Sequence, residues 1–419
     1  MKVHCVACGA DFDPDLTLSG SSTTCPTCGG PVTHDAATHS SRAPSQPASP
    51  AGSESAASQG GLFGRVSDRI SSAAGVQKLQ GFSLGETFSE VFGRHSDEEI
   101  ERYFSVGGPD TTPPLERVDV RWPKPWVFFR TFLVALGTYI AFVAAWNQFG
   151  NVKLLPAIIF VGSFAIPFAT LILFFELNVQ RNVSLYQICR LVALGGAASL
   201  LLSLLGYQVA SGFKLDWLGA SLAGLVEEPG KLLVLAFVIN NRRYRSVLNG
   251  LLLGAAVGAG FAAFESAGYA FLYLLQHLSV TTHYNGAVTL ELNDIDAMRQ
   301  LIVARGLLAP FGHIAWTAMS AAALWRVMGG APFRFEMLKD SRFTRVFATA
   351  VLLHMIWDSP LELPFDGLYV LLGAVAWIIV LGLVQEGLAE LRASQAAARA
   401  GTAAAAEAAQ PALPPEVPA

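Results

Sequence analysis

Charge is scarce in this chain. Asp, Glu, Lys and Arg make up 14% of its 419 residues, where a soluble domain carries about 25%. That deficit argues against an ordinary cytosolic enzyme. No excess of one sign exists either: 28 Lys and Arg stand against 32 Asp and Glu, a formal net charge of -4. Without a basic field to hold a phosphate backbone, nucleic acid is not an expected partner. Cysteine is almost missing after the first 28 residues, where only Cys189 remains, alone in an apolar stretch and read as a small buried apolar residue. Apolar residues are what the chain has in abundance, at 52% and a mean hydropathy of +0.44. The first 120 or so residues and the last 30 or so are polar or small, so the middle must be far more apolar than the average. The composition is that of a membrane protein with tails.

Four cysteines stand at the start as Cys5-x2-Cys8 and Cys25-x2-Cys28. Two knuckles at that spacing supply a tetrahedral thiolate cage, and paired CxxC units without a preceding secretory signal favour zinc over two disulfides. Residues 1–32 are therefore expected to form a small zinc ribbon. Residues 33–80 begin with a Ser/Ala/Pro/Gly tract that cannot bury enough apolar surface to offset its ordering entropy, and read as a flexible linker. Residues 81–125 are mixed, with amphipathic patches at FSLGETFSEVF and SDEEIERYF, the second capped by Ser96 with Glu99 three residues on. The VRWPKPW stretch then sets Trp122 and Trp126 at a bilayer interface.

From Trp126 onward come apolar runs close to the roughly 20 residues that cross the hydrocarbon. Eight are expected, at 126–146, 154–176, 184–206, 215–239, 247–276, 299–327, 343–359 and 367–385, so that residues 126–385 form an all-α polytopic bundle and 386–419 an Ala/Pro-rich tail. Lysine and arginine accumulate on the cytoplasmic side of such a bundle. With the N-terminus inside, Arg117, Arg121, Lys124, Arg181, Arg242, Arg243, Arg245, Arg326, Arg334, Lys339, Arg342 and Arg345 are cytoplasmic. The far side receives only Lys153, Lys214 and Arg299 with the acidic Glu291, Asp294 and Asp296. Both termini then lie in the cytoplasm, which keeps the four cysteines reduced. A bacterial cytoplasmic membrane is the expected location.

Titratable side chains inside such spans carry an insertion penalty of about 2.5–3.5 kcal/mol each, so they are functional candidates by default. The fourth run holds Glu227, Glu228 and Lys231 within one helical turn. Lysine at i+4 and i+3 neutralises one carboxylate and leaves the other in surplus, needing a cation, a proton or a water to activate. In the fifth run Gly250, Gly254 and Gly258 form a small-residue face for close helix approach. Glu265 follows seven residues later, about 20° off that face, and so points into the bundle. His313 lies in the sixth run, and in the seventh His354 and Asp358 share a face at i,i+4. A structural ion pair or a satisfied interior histidine explains each of these singly. Four spans each placing such groups at similar depth is a different matter.

EEPGK at 227–231, FAAFE at 261–265, GHIAWTAM and HMIWD at 354–358, in that order on successive apolar runs, resemble the PrsW family of intramembrane proteases. These are relatives of the CAAX prenyl proteases and of bacteriocin-processing membrane proteins. The resemblance covers roughly residues 200–385 and implies a polytopic protease cutting a membrane-associated substrate, such as a single-pass anti-sigma-like regulator. It implies catalytic candidates Glu227, Glu228, Lys231, Glu265, His313, His354 and Asp358, with Glu265 standing where the CAAX relatives usually have a histidine.

Two chemistries stay open for those residues. In one, His313, His354 and either Glu265 or Asp358 hold Zn²⁺ or another divalent metal while Glu228 acts as base. In the other, a glutamate activates water directly, a histidine stabilises the oxyanion and Lys231 keeps the other carboxylate ionised. The competing functional class is a proton- or cation-coupled transporter using the same groups; it predicts internal repeats, and none is convincing. A scaffold that recruits a cytoplasmic protein partner through the ribbon is the third, and it has no use for so many buried charges.

Overall fold

The structure, a computed structural model, describes residues 3–5, 11–12, 32–34, 62–108, 110–239, 243–282, 288–292 and 294–408. It falls into two units, Met1–Ser58 and Gln59–Ala419. In the first, β1 (Val3–Cys5) pairs antiparallel with β2 (Asp11–Phe12) on one side and β3 (Val32–His34) on the other. Cys5 ends β1. Its side chain and Cys8, Cys25 and Cys28 lie outside the described residues, and the expected ribbon zinc with them.

The second unit opens with three short helices. α1 (Leu62–Ala74) arises inside the stretch read as linker, where Ser67, Ser71 and Ala74 recur at i, i+4, i+7 and are buried. α2 (Leu84–Thr87) and α3 (Asp97–Phe104) follow. α3 carries the expected capping box: Glu99 N–H donates to Ser96 Oγ at 3.3 Å and Ser96 N–H to Glu99 Oε2 at 3.0 Å.

The remaining helices are α4 (Val127–Phe149), α5 (Leu155–Leu177), α6 (Leu185–Arg190), α7 (Gly196–Gly212), α8 (Leu222–Val238), α9 (Val247–Gln276), α10 (Ile295–Leu308), α11 (His313–Met328), α12 (Ser341–Trp357) and α13 (Gly367–Ala408). A π-helical turn at Leu191–Gly195 joins α6 to α7, and a hairpin of β4 (Leu278–Thr282) and β5 (Val288–Leu292) joins α9 to α10. α9 is the axis of the core, buried without interruption from Val247 to Ala263.

Among the described residues, six helical segments are long and apolar enough to cross a membrane: Val127–Phe149, Val152–Leu177, Leu185–Gly212, Val247–Gln276, Ile295–Met328 and Pro364–Gly401. The other two runs expected to span are α8 and α12. Each is a helix of 17 residues, about 25 Å at 1.5 Å per residue against a hydrocarbon core of about 30 Å. Both are held short at the same end of the bundle. A 3₁₀ turn at Asp216–Ser221, with Gly219 at φ 58°, precedes α8, and Asp358 caps the end of α12.

Several helix ends are closed by distant side chains. The α4 N-terminus is capped by the buried Glu176 of α5, which accepts from the N–H groups of Trp126 (2.8 Å), Val127 (3.0 Å) and Phe128 (2.9 Å). α13 runs on unbroken past residue 385 to Ala408. There Glu386 pairs with Arg326 at 2.9 Å and Glu390 accepts from Val247 N–H at 3.1 Å, so this extension is tied to the bundle. Cys189 corrects an expectation: it is a free cysteine on the exposed side of α6, because Ile188 and Leu191 take the buried positions beside it.

Candidate active site

Close packing of α9 on α11 is the scaffold of the site. A Cβ on Gly254 would lie 2.5 Å from the Thr317 carbonyl oxygen, and one on Gly258 2.5 Å from that of His313. Only glycine admits such an approach, so the expected small-residue face is the α9–α11 contact. Two turns further along α9, Glu265 Oε2 reaches His313 Nε2 at 3.0 Å. His313 itself opens α11, after Pro310 and a 3₁₀ turn at Ala309–Phe311 interrupt the long segment Ile295–Met328. The imidazole therefore projects from a helix end.

α8 supplies the next layer. Glu227, Glu228 and Lys231 fall on one face and are all buried. The Lys231 ammonium has three protons and three acceptors: Glu228 Oε1 at 2.8 Å, His313 Nδ1 at 2.9 Å and Glu227 Oε2 at 3.2 Å. It also lies 3.9 Å from the centre of the Phe261 ring, on the first residue of the FAAFE run. Because Lys231 can only donate, His313 Nδ1 accepts, which places the His313 proton on Nε2, facing Glu265.

α12 completes the cluster from the opposite wall. His354 Nδ1 is 2.9 Å from Glu228 Oε1, and His354 Nε2 is 3.1 Å from Asp358 Oδ2 and 3.9 Å from Glu227 Oε2. The α8–α12 contact is again set by a glycine, since a Cβ on Gly224 would sit 2.7 Å from the Val351 carbonyl oxygen. All seven residues singled out in the sequence thus meet in one cluster, with Glu227, Glu228, Lys231 and His354 buried and Glu265, His313 and Asp358 partly exposed. The middle of α8, the start of α11 and the end of α12 converge there.

Four side chains that the sequence reading passed over also belong to it. Arg305 of α10 donates to Glu265 Oε2 at 2.5 Å and to Ser266 Oγ at 3.1 Å, and lies 4.4 Å from the Tyr269 ring centre. Tyr207 of α7 donates to Glu227 Oε1 at 3.1 Å. Trp316 stacks on His354 with 4.4 Å between ring centres and 25° between planes, and Trp357 meets Trp316 edge-on. Arg305 had a signal, an arginine six residues inside an apolar run. The aromatic residues had none, since Tyr and Trp are ordinary in membrane helices.

Residues 183–384 match the family described as PrsW family intramembrane metalloprotease. Those residues belong to the PrsW family. No curated protein and no solved structure matches the chain. The PrsW region runs from just before α6 into α13 and contains the whole cluster, while α1 to α5 lie outside it. The chain is an integral membrane protein and an intramembrane protease of a family described as metalloproteases.

The donors of the PrsW cluster fit a metal. One ligand atom each from Glu227, His313 and His354 lies within 4.8 Å of the others, the one such grouping among the described residues. Two imidazoles and one carboxylate are a ligand set used by catalytic zinc, which leaves a fourth position open. The charges agree: Glu227, Glu228, Glu265 and Asp358 are four carboxylates, and Lys231 and Arg305 are the two cations bonded to them. His354 bonds a carboxylate at each ring nitrogen and so carries both protons here, leaving one negative charge; the loss of one of those protons on taking a metal leaves two, the complement of a divalent cation. Glu228 Oε2 is buried and without a hydrogen-bond partner. The converging carboxylate is Glu227, whereas Glu265 and Asp358 bond to the histidines from outside, as orienting partners do. Lys231 shares Glu227 and His313 with any such metal, so the ammonium must keep only Glu228 when a metal is held.

Proposed function

We propose that this protein is an endopeptidase that hydrolyses a peptide bond in or beside the membrane segment of a membrane-associated protein, a single-pass, anti-sigma-like regulator being the substrate class. The observation that carries the reading is the convergence of Glu227, Glu228, Lys231, Glu265, His313, His354 and Asp358, from four helices, in one largely buried cluster within the PrsW region. Eight spans are assigned, with α8 and α12 as the two short ones and both termini in the cytoplasm. The domain plan is a ribbon over 1–32, a linker over 33–80, a juxtamembrane collar over 81–125, the protease over 126–385 and a tail over 386–419. In the ribbon, Cys5, Cys8, Cys25 and Cys28 hold zinc and dock a cytoplasmic protein partner.

Glu227, His313 and His354 are the residues assigned to hold a divalent metal. When bound, that metal supplies Lewis acidity, lowering the pKa of water and polarising the peptide carbonyl. Glu228 is the general base: Oε1 is engaged by Lys231 and His354, and Oε2 is free to take a proton from water. The water oxygen bonds to the carbonyl carbon, the carbon–nitrogen bond breaks, and the proton held by Glu228 passes to the departing amine. Lys231 keeps Glu228 anionic until the carboxylate takes the proton from water. Glu265 holds the His313 ring by its second nitrogen, His354 would give up either its Glu228 or its Asp358 bond to take a metal and keep the other as its orienting partner, and Trp316 fixes the plane of His354 by stacking.

Sequencing the new peptide N-termini in membranes that express the wild type or Glu228→Gln tests this reading and names the substrate. Termini in or beside a membrane segment, present only with the wild type, are the expected result. Identical termini with two folded, inserted proteins would count against it.

A further inference from the structure

The collar and the VRWPKPW motif have no part in the chemistry above, yet together they wall a cavity of about 1120 Å³. It opens where α4 begins and α5 ends, and α13 closes one side with Gln385 and Arg392. Every residue from Arg121 to Trp126 lines it. Pro123 and Pro125 keep that segment extended and remove two of its N–H donors. Trp122 and Trp126 set its depth at the interface, the second stacked on His95 with 3.6 Å between ring centres.

The four carboxylates of the lining are already engaged. Asp119 is bonded by Arg121 at 2.6 Å, which holds its carboxyl below the usual range. Glu86 faces Lys124 at 3.9 Å, Glu90 faces His95 at 3.9 Å, and Glu176 is taken up by the three N–H groups of α4. Among the described residues, three arginines in the lining have no carboxylate within 4 Å, although Arg181 lies in the field of Glu176. Arg181, at φ 47° in the left-handed region, lays its guanidinium over Tyr103 at 4.2 Å. Arg392 reaches only the Val120 carbonyl, at 3.4 Å, and Arg117 is exposed at the rim. Five Arg and Lys against four Asp and Glu leave the lining one positive charge, the complement of a single phosphodiester.

We propose that this cavity binds the phosphate of an anionic phospholipid headgroup through Arg117, Arg181 and Arg392. The planar guanidinium forks suit phosphate oxygens. A lipid is the occupant because the cavity lies at the first residues of an apolar span, between interfacial tryptophans, where headgroup phosphates are found. In the assigned orientation this is the cytoplasmic leaflet. The bound headgroup joins the collar to α5 and α13, elements outside the catalytic cluster, so the inference stands independently of the proteolytic reading.

The test is native mass spectrometry of the full chain in detergent, offered phosphatidylglycerol and phosphatidylcholine together. Preferential retention of phosphatidylglycerol by the wild type is expected. The double variant R117Q/R392Q, both positions being exposed, is expected to lose about 25-fold of that preference, at about fivefold per arginine. The triple variant with R181Q is expected to lose it altogether. R334Q/K339Q, exposed basic positions away from the cavity, is expected to behave as wild type. Equal retention of the two lipids by the wild type, or an undiminished preference in the folded double variant, would overturn the proposal. Release of the lipid by millimolar glycerol phosphate would overturn the lipid assignment in favour of a soluble phosphoryl ligand.

Discussion

At the scale of the residue, the account rests on Glu228. Its Oε1 bonds both Lys231 and His354 while Oε2 has no partner, and the surrounding helices leave it fully buried. Glu228→Gln keeps the volume and removes the basic oxygen. A loss of about 10²–10⁴-fold in cleavage rate, measured on purified enzyme, is expected for a lost general base. Lys231→Met removes the one donor common to Glu227, Glu228 and His313. It leaves buried carboxylates unpaired, a loss of about 3–5 kcal/mol that thermal unfolding in detergent should register. For the metal, full-length protein with Cys5, Cys8, Cys25 and Cys28 all changed to Ser removes the ribbon ligands. One divalent ion per chain is expected in that background, and none after His354→Ala. Much of this cluster was legible, because Glu227, Glu228 and Lys231 stand out against an apolar run and their spacing fixes one face. Glu227 as the converging carboxylate was not, since which of two adjacent glutamates reaches the imidazoles depends on how α8 is rotated against α11 and α12.

At the scale of the element, the glycines of α9 carry the position of Glu265. Gly250, Gly254 and Gly258 meet the α11 backbone directly, and that contact was readable from a four-residue repeat. Gly254→Leu would drive a side chain against the Thr317 carbonyl and the Ala321 side chain. Overpacking of this kind is expected to lower stability by about 1–3 kcal/mol and to lower cleavage with it, read as unfolding temperature and rate on the same preparation. Glu176 offers a second check on α4: Glu176→Ala leaves three N–H groups without an acceptor and is expected to destabilise by about 1–2 kcal/mol. That trans cap was invisible to local sequence patterns, because donor and acceptor are about 50 residues apart. The π-helical turn at Leu191–Gly195 was equally hidden, as its sequence is an ordinary apolar run that distorts where Gly196 and Gly260 press their backbones together.

At the scale of the whole molecule, the short lengths of α8 and α12 fit a site that water must reach. Each falls about 5 Å short of the hydrocarbon thickness, and the cluster joins the middle of α8 to the end of α12. The existence and order of the apolar runs were legible from composition, whereas their effective lengths were not, because a 3₁₀ turn or a cap shortens a helix without changing its hydropathy. The collar was the least legible part: α1 lies in a stretch whose upstream composition reads as linker, and the residues after it, Gln77 and Gln80, bond Glu386 and Gln385 of α13, about 300 residues away. The assigned topology has its own check. Single cysteines placed in the β4–β5 hairpin are expected to react with an impermeant thiol reagent from outside, and cysteines in the α11–α12 connection only after the membrane is opened.

The central claim is that the buried carboxylates and histidines break peptide bonds and do not carry ions. The most direct measurement co-reconstitutes the full chain in vesicles with the membrane protein that yields the new termini, following cleavage and proton flux together in wild type and Glu228→Gln. Cleavage by the wild type alone, with no flux above that of empty vesicles in either, is the expected result. Flux that depends on Glu228, with the substrate left intact, would contradict the account.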